Sequence, residues 1–188
     1  SGGGGGNDPG QGGGGSGVMD QIYFVSSSNS ETAKLASENN DPSFYLRFGQ
    51  EITKPDSVFI GKKIVRIEFF IAEEDKPRGG TGDGVHVRIR KGIDDSIVTT
   101  LGTIDEDDLH DDGNTYFVED MSNSYAMQVG DKILFEYDGG SDSDYVKLFM
   151  KSNQPNTGSK VVVQDNTQDP GEYRNLNRDV SMRIWAVT

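Results

Sequence analysis

The chain has 188 residues, of which 18 are lysine or arginine and 31 are aspartate or glutamate, so its formal net charge is −13 at pH 7. This charge disfavours nucleic acid and anionic membranes as partners. The absence of cysteine excludes disulfides, iron–sulfur clusters and thiolate zinc sites. Only two histidines, His86 and His110, could serve transition-metal or Ser-His-Asp chemistry. No run approaches the ~20 apolar residues of a membrane helix, so we expect no membrane insertion.

Residues 1–17 form a glycine-rich arm that holds 11 of the 25 glycines. In isolation such an arm is a flexible tether. Ordering it would cost roughly 1–2 kcal/mol of backbone entropy per residue, which only hydrogen bonds to other protein could offset. A neighbouring subunit is the simplest source of those bonds, with candidate contacts at Gly2, Gly6, Gly12 and Gly17. The chain is therefore divided into this arm and one domain, residues 18–188.

A candidate strand, Val18–Ser26, directly follows the arm. Its apolar residues fall into two alternating sets, with Val18, Ile22 and Phe24 on one face and Met19, Tyr23 and Val25 on the other. Two arrangements are open for this strand. It could complete its own sheet, or it could add to the open edge of a neighbouring subunit through main-chain hydrogen bonds. Repeated head to tail, the second arrangement would produce a fibre.

Further along the chain, one short surface helix is predicted over Ser30–Glu38, with Ser30 as its N-cap. A period of two then predicts nine more strands: Ser43–Gln50, Lys63–Glu73, Gly84–Lys91, Ser96–Thr103, Asn114–Asp120, Asp131–Asp138, Asp144–Lys151, Lys160–Gln164 and Val180–Val187. The clearest is Lys63–Glu73, whose core face is the apolar set Val65, Ile67, Phe69 and Ile71.

Glycine-, proline- and aspartate-rich turn sequences separate these strands about every dozen residues, and helical periodicity is nearly missing. Many short strands with regular turns are typical of antiparallel sandwiches. We therefore predict an all-β fold, an antiparallel jelly-roll of two packed sheets, preceded by the glycine-rich arm.

Two acidic clusters are candidate calcium sites, because Ca²⁺ takes 6–8 oxygen ligands that loops between strands can supply. The candidate ligands are Asp105, Asp107, Asp108, Asp111, Asp138, Asp142 and Asp144. No complete EF-hand loop occurs, and acidic runs are more often solvated surface. No cofactor is therefore expected to be required, and Ca²⁺ is the one candidate.

Three aromatic residues are candidate sugar-binding groups: Trp185 on the terminal strand, and Tyr145 and Tyr173 beside loops. A sugar platform usually needs two or three aligned rings, and the chain has a single tryptophan. The alternative for Trp185 is that it packs against the second sheet or covers a sheet edge.

Five segments follow one another in the C-terminal two-thirds of the chain: Ile64–Ile71, Thr81–Ile89, Gly130–Gly140, Asp144–Leu148 and Asp179–Val187. Their order resembles the jelly-roll modules of secreted archaeal and bacterial surface proteins, which are related to carbohydrate-binding modules and to the choice-of-anchor class. The resemblance implies a sandwich located outside the cell or on its surface, and it carries no functional residue with it. The chain has no charged-then-apolar leader, so we expect that a secretion signal has either been removed or never existed.

Two functions follow as hypotheses. The first is a non-enzymatic secreted structural protein that is its own partner, a homopolymer that forms a filament or surface layer through the arm and Val18–Ser26, with polysaccharide as a further candidate partner. Deleting residues 1–25 is then expected to abolish assembly and leave folded monomers. The alternative is a carbohydrate-binding module of a cell-surface protein, supported by calcium. No pair of carboxylates stands out as catalytic, so an enzyme is not expected.

Overall fold

The computed structural model describes residues 18–37, 41–74, 84–140, 144–152, 157–167 and 171–188. They form thirteen strands and one 3-10 helix, Glu106–Asp108: β1 (Asp20–Phe24), β2 (Glu31–Leu35), β3 (Asp41–Ile52), β4 (Lys63–Glu74), β5 (Gly84–Arg90), β6 (Ile97–Asp105), β7 (Asn114–Glu119), β8 (Lys132–Tyr137), β9 (Tyr145–Lys151), β10 (Ser159–Asn166), β11 (Arg174–Leu176), β12 (Asp179–Val180) and β13 (Met182–Val187). Within these ranges there is no helix long and apolar enough to cross a membrane. The predicted all-β class is confirmed.

Four antiparallel strands make up the smaller layer, in the order β1-β13-β4-β7. The first strand of the domain thus pairs with the last. Across this layer Phe24 lies opposite Arg183, Arg183 opposite Glu68, and Glu68 opposite Phe117. Neighbours on one face of the layer therefore come from four distant parts of the chain.

Six antiparallel strands make up the larger layer, in the order β11-β10-β3-β8-β5-β6. The strands β3 and β8 lie close together at Gly49. A Cβ atom placed on Gly49 would lie 1.8 Å from the carbonyl oxygen of Ile133, so only glycine fits at this position of β3.

The two layers join along one side. Beyond the smaller layer, Ala72 of β4 pairs with Lys147 of β9. The strand β9 also pairs with β2 and β12, and β2 meets β3 at a single parallel pair, Leu35 and Tyr45. The strand β4 therefore belongs to both layers and connects them into one hydrogen-bonded network.

The core lies between the two layers. Phe69 of β4 and Phe135 of β8 meet edge to face, with ring centres 4.8 Å apart. The apolar face predicted for β4, namely Val65, Ile67, Phe69 and Ile71, is buried throughout. Ile67, Phe69 and Ile71 belong to the core cluster as predicted, whereas Ile64, predicted on the opposite face, takes the place of Val65 in that cluster. The jelly-roll strand order stays a prediction.

The predicted helix Ser30–Glu38 is wrong. Residues Glu31–Leu35 form β2, which pairs with β9 over its whole length. Ala33 and Leu35 are 1% and 0% exposed, a two-residue spacing that a strand produces and a helix does not. Pairing and burial thus override the helix propensity of this Glu-, Ala-, Lys- and Leu-containing segment. The short strand β11 was also not predicted.

Candidate binding face

The outer face of the smaller layer carries three aromatic rings and two arginines in alternation. The strand β13 contributes Arg183 and Trp185, and its neighbours contribute Phe24, Arg66 and Phe117. We call these five residues the aromatic–arginine row. Because side chains alternate between the faces of a strand, all five point away from the core that Phe69 and Ile184 fill.

Each arginine of the row lies between two rings. The guanidinium carbon of Arg183 is 4.5 Å from the ring centre of Phe24 and 5.9 Å from that of Trp185. The corresponding distances for Arg66 are 5.2 Å to Trp185 and 4.4 Å to Phe117. A cation over a ring contributes about 0.5–1 kcal/mol at an exposed site. The row is therefore a continuous chain of contacts that runs across all four strands.

The rings at the two ends of the row are the most accessible. Phe24 is 52% exposed and Phe117 is 55% exposed, whereas Trp185 is partly buried between the arginines. Large aromatic side chains exposed in a contiguous group usually mark an interaction site. The row therefore offers two open rings with a tryptophan between them.

Two carboxylates accompany the arginines on this face. Glu119 forms an ion pair with Arg66, with the two charged atoms 3.5 Å apart. Glu68 lies between Arg183 and Phe117 in the strand register. The Nε atoms of Arg66 and Arg183 are buried without a hydrogen-bond partner among the described residues. The face is thus neutral in sum, although the chain as a whole is strongly acidic.

A cavity of about 220 Å³ opens beside the Phe24 end of the row. Phe24, Ser26, Glu68, Phe70, Thr115 and Arg183 are among its lining residues. Two of these, Phe24 and Arg183, also belong to the row. The row and the cavity therefore form one continuous surface.

Of the three predicted sugar-binding aromatics, the structure places only Trp185 on this face. Tyr145 of β9 packs edge to face on Phe44, with ring centres 5.1 Å apart and Lys34 Nζ 5.2 Å from the Tyr145 ring. Tyr173 lies on the outer face of the larger layer. The three residues therefore occupy separate surfaces, and sugar binding at any one of them stays a prediction.

Tyr173 belongs to an ion network centred on Glu136. Arg90 donates two hydrogen bonds to the Glu136 carboxylate, at 2.9 and 3.1 Å, and Arg47 Nε lies 3.0 Å from it. Arg47 also donates to the Tyr173 hydroxyl at 2.6 Å, and that hydroxyl donates to Asp95 at 3.1 Å. Burial, together with Asp95, raises the pKa of Tyr173 to about 12. The Tyr173 hydroxyl thus both accepts and donates a hydrogen bond within this network, which favours a structural role for Tyr173.

The row contains four residues that the sequence did not indicate for ligand binding: Phe24, Arg66, Phe117 and Arg183. Phe24 was assigned to assembly instead. Phe117 stands in the apolar run Tyr116-Phe117-Val118, which shows no alternation and therefore no outward face. From the sequence, Phe117 can be noticed as an aromatic residue, but the residues that lie beside it across the sheet cannot be identified.

The predicted calcium ligands mostly lie apart. Asp105, Asp107, Asp108 and Asp111 are exposed around the 3-10 helix, and Asp142 lies outside the described residues. Asp138 accepts hydrogen bonds from the Gly84 amide at 3.0 Å and pairs with His86 at 2.8 Å. In the part of the chain that the structure describes, no three metal-ligating side chains come together.

Two carboxylates near these loops are buried instead of exposed. Asp144 is 7% exposed, and burial raises its pKa. Glu106, which the sequence analysis did not select, is also 7% exposed; burial and then the negative charge of Asp144 raise its pKa. Calcium binding at this end of the domain stays a prediction.

The predicted assembly residues divide between described and undescribed parts of the chain. Gly2, Gly6, Gly12 and Gly17 lie outside the described residues. Val18 is exposed, Ile22 is partly buried, and Phe24 belongs to the row. The other face of β1 enters the core: Tyr23 and Val25 are buried, and the Tyr23 hydroxyl donates to the Val180 carbonyl at 2.6 Å. In the isolated chain β1 takes the first of its two predicted arrangements, pairing with its own β13.

The fold and the face together define an all-β domain with an exposed row of aromatic and arginine side chains on one sheet face. The chain matches no protein-family model and no curated protein sequence.

Proposed function

We propose that this domain is a non-enzymatic carbohydrate-binding module and that the aromatic–arginine row is its binding surface. The observation that carries the proposal is the alternation of three rings and two guanidinium groups across one sheet face. Binding sites of this kind combine apolar surface with a few placed polar groups.

Each part of the row has a task in such binding. The rings of Phe24, Trp185 and Phe117 provide apolar faces on which the C–H face of a sugar can stack. Arg66 and Arg183 present N–H donors to hydroxyl oxygens, in a fixed planar geometry. The row crosses from β1 to β7, three inter-strand spacings or about 14 Å, a length suited to a short oligosaccharide segment.

The charges on the face favour a neutral glycan. Arg66 and Arg183 are matched there by Glu119 and Glu68, so no excess positive charge faces the ligand. The net charge of −13 would repel an anionic polysaccharide over longer distances. Carboxylates beside the row can instead accept hydrogen bonds from sugar hydroxyl groups.

Trp185→Ala and Phe117→Ala test this proposal. The wild type is screened on a glycan array, and affinities for the selected glycan are then measured by calorimetry. Each variant is expected to weaken binding about tenfold or more, as the loss of an aromatic anchor does at a binding site. Tyr145→Ala is the matched control, because it removes a ring from a different surface. Unchanged binding by both row variants would contradict the proposal.

Self-assembly through β1 is a second candidate function, favoured by the position of β1. This strand is an outer strand of the smaller layer, pairs with β13, and inserts Tyr23 and Val25 into the core. An identical strand from another copy would fit the same place with the same contacts, which is why strand exchange costs little. The glycine-rich arm precedes this strand directly.

The burial of Tyr23 and Val25 changes the experiment that the sequence suggests. Deleting residues 1–25 would remove both side chains from the core and unfold the domain instead of leaving folded monomers. Cysteines provide a sharper test because the chain has none. Asp20 and Ala186 are direct partners between β1 and β13, so Asp20→Cys and Ala186→Cys are placed in separate chains that are mixed and refolded together.

Disulfides between the two separately substituted chains are expected if β1 is exchanged, and the linked species should grow into polymers visible by electron microscopy. The control is one chain with both substitutions, which forms an internal disulfide when β1 pairs with β13 of the same chain. Internal linkage with no linkage between mixed chains would rule out exchange. Deleting residues 1–17 in the same experiment reports the contribution of the arm.

A further inference from the structure

The cavity beside the row differs from the row itself in shape and in chemistry. The row is an open strip of rings, whereas the cavity is a recess of about 220 Å³ at the end of the smaller layer. Its walls come from β4, β7, β13 and the segment that leaves β1. A ligand lying on the row at Phe24 would therefore reach the cavity mouth.

The lining of the cavity combines ring faces with hydrogen-bonding groups. Phe24 and Phe70 contribute apolar surface, Glu68 contributes an acceptor, and Arg183 contributes donors. Ser26 and Thr115 add hydroxyl groups, which both donate and accept. This mixture suits a small, hydroxyl-rich group better than a purely apolar one.

We infer that this cavity receives one neutral sugar unit, either the end of a glycan chain or a single-residue branch, while the adjoining sugars lie along the row. The inference rests on the proposed function and specifies its ligand class. The volume of the cavity supports this size: pockets for drug-sized ligands measure roughly 300–1,000 Å³, so a recess of about 220 Å³ has room for a single sugar ring.

The charges on the cavity walls restrict the unit further. The carboxylate of an acidic sugar would meet both Glu68 and Arg183, and repulsion by Glu68 would oppose its attraction to Arg183. The hydroxyl groups of a neutral sugar can instead donate to Glu68 and accept from Arg183, which leaves neither charged group without a partner. The unit is therefore uncharged.

Thr115→Tyr tests the inference by filling the recess from its wall. Thr115 is exposed on the outer strand β7, and tyrosine is favoured in strands, so the fold is expected to tolerate the change. Lys160→Tyr is the matched control, because it places the same side chain at an exposed strand position of the larger layer. Glu68→Gln, which keeps the shape of the wall, tests the charge separately.

The probes are neutral gluco-, manno-, xylo- and galacto-hexasaccharides, a galactose-branched manno-oligosaccharide, and the corresponding unbranched polymers. Affinities are compared per mole of binding unit. The wild type is expected to bind a chain end or a branch about tenfold more tightly than it binds the interior of an unbranched polymer. Thr115→Tyr should abolish this preference and leave polymer binding on the row unchanged. Glu68→Gln should reduce the preference several-fold, and Lys160→Tyr should alter neither quantity.

The outcomes separate this inference from the proposed function. If Trp185→Ala abolishes binding but Thr115→Tyr leaves the preference intact, the cavity inference is wrong and the row remains the binding site. If the wild type binds none of the probes, or if Trp185→Ala leaves all binding unchanged, both proposals fail.

Discussion

Glu106 and Asp144 are two carboxylic acids that the fold holds out of water. Each is 7% exposed, and the pKa of each is raised, by burial in both cases and also by Asp144 in the case of Glu106. Because folding favours the protonated acid, the stability that protonation contributes is complete at low pH. It is lost as the pH rises through the folded-state pKa of Glu106.

We therefore expect Glu106→Gln to be more stable than the wild type at pH 7 by on the order of 1 kcal/mol, and about equal to it near pH 4, where the unfolded acid also begins to protonate. Urea unfolding in chelator at both pH values measures the difference. Asp107→Asn is the control, since it removes an equal charge from an exposed neighbour. An equal effect of Glu106→Gln at both pH values would refute the expectation. Added Ca²⁺ tests the predicted calcium site, because a cation bound at Glu106 would make the variant the less stable protein at pH 7.

At the scale of elements, β2 shows how far a short segment is governed by its neighbours. Residues Glu31–Leu35 contain mostly good helix formers, and they become a strand because β9 offers five residues of pairing. By contrast, β4 was predicted correctly because one of its two alternating sets over Ile64–Ile71 is wholly apolar, whereas the other contains Arg66 and Glu68. The strength of the alternation, more than the propensity, decides which prediction holds.

Leu35→Ala measures the position of β2 directly. Leu35 is fully buried between the layers, so its truncation is expected to destabilise the domain by about 2–5 kcal/mol. A surface helix would lose far less. Thr32→Ala, at an exposed position of the same strand, serves as the control and should change stability by less than about 0.5 kcal/mol. Chemical denaturation gives both values, and a cost below about 1 kcal/mol for Leu35→Ala would show that β2 is not buried as described.

The aromatic–arginine row also belongs to the scale of elements, and it explains why the sequence indicated only one residue of the proposed binding face. Trp185 was recognisable as the single tryptophan on a predicted strand. Its neighbours stand at positions 24, 66, 117 and 183, and what brings them together is the pairing register of four strands. A period of two along each strand gives the face of a residue but not its partner across the sheet.

At the scale of the whole molecule, the arginines are distributed in a consistent way. Each arginine among the described residues meets an aromatic ring or a carboxylate: Arg66 and Arg183 in the row, Arg47, Arg88 and Arg90 around Glu136, Arg174 at Asp165, and Arg178 at Glu31. In a chain with 31 acidic residues, net charge could be read from the sequence. The sequence does not show how the arginines divide between a closed network on the larger layer and an open row on the smaller layer.

The antiparallel pairing of β1 with β13 has a geometric consequence for how the domain is displayed. Asp20 lies beside Ala186, so the polypeptide enters and leaves at one pole of the sandwich. Phe24 and Ser26, at the opposite pole, border the recess. A domain attached through either terminus would present this recess on the side away from the attachment, and joining the two termini while cutting a distant loop should preserve the recess.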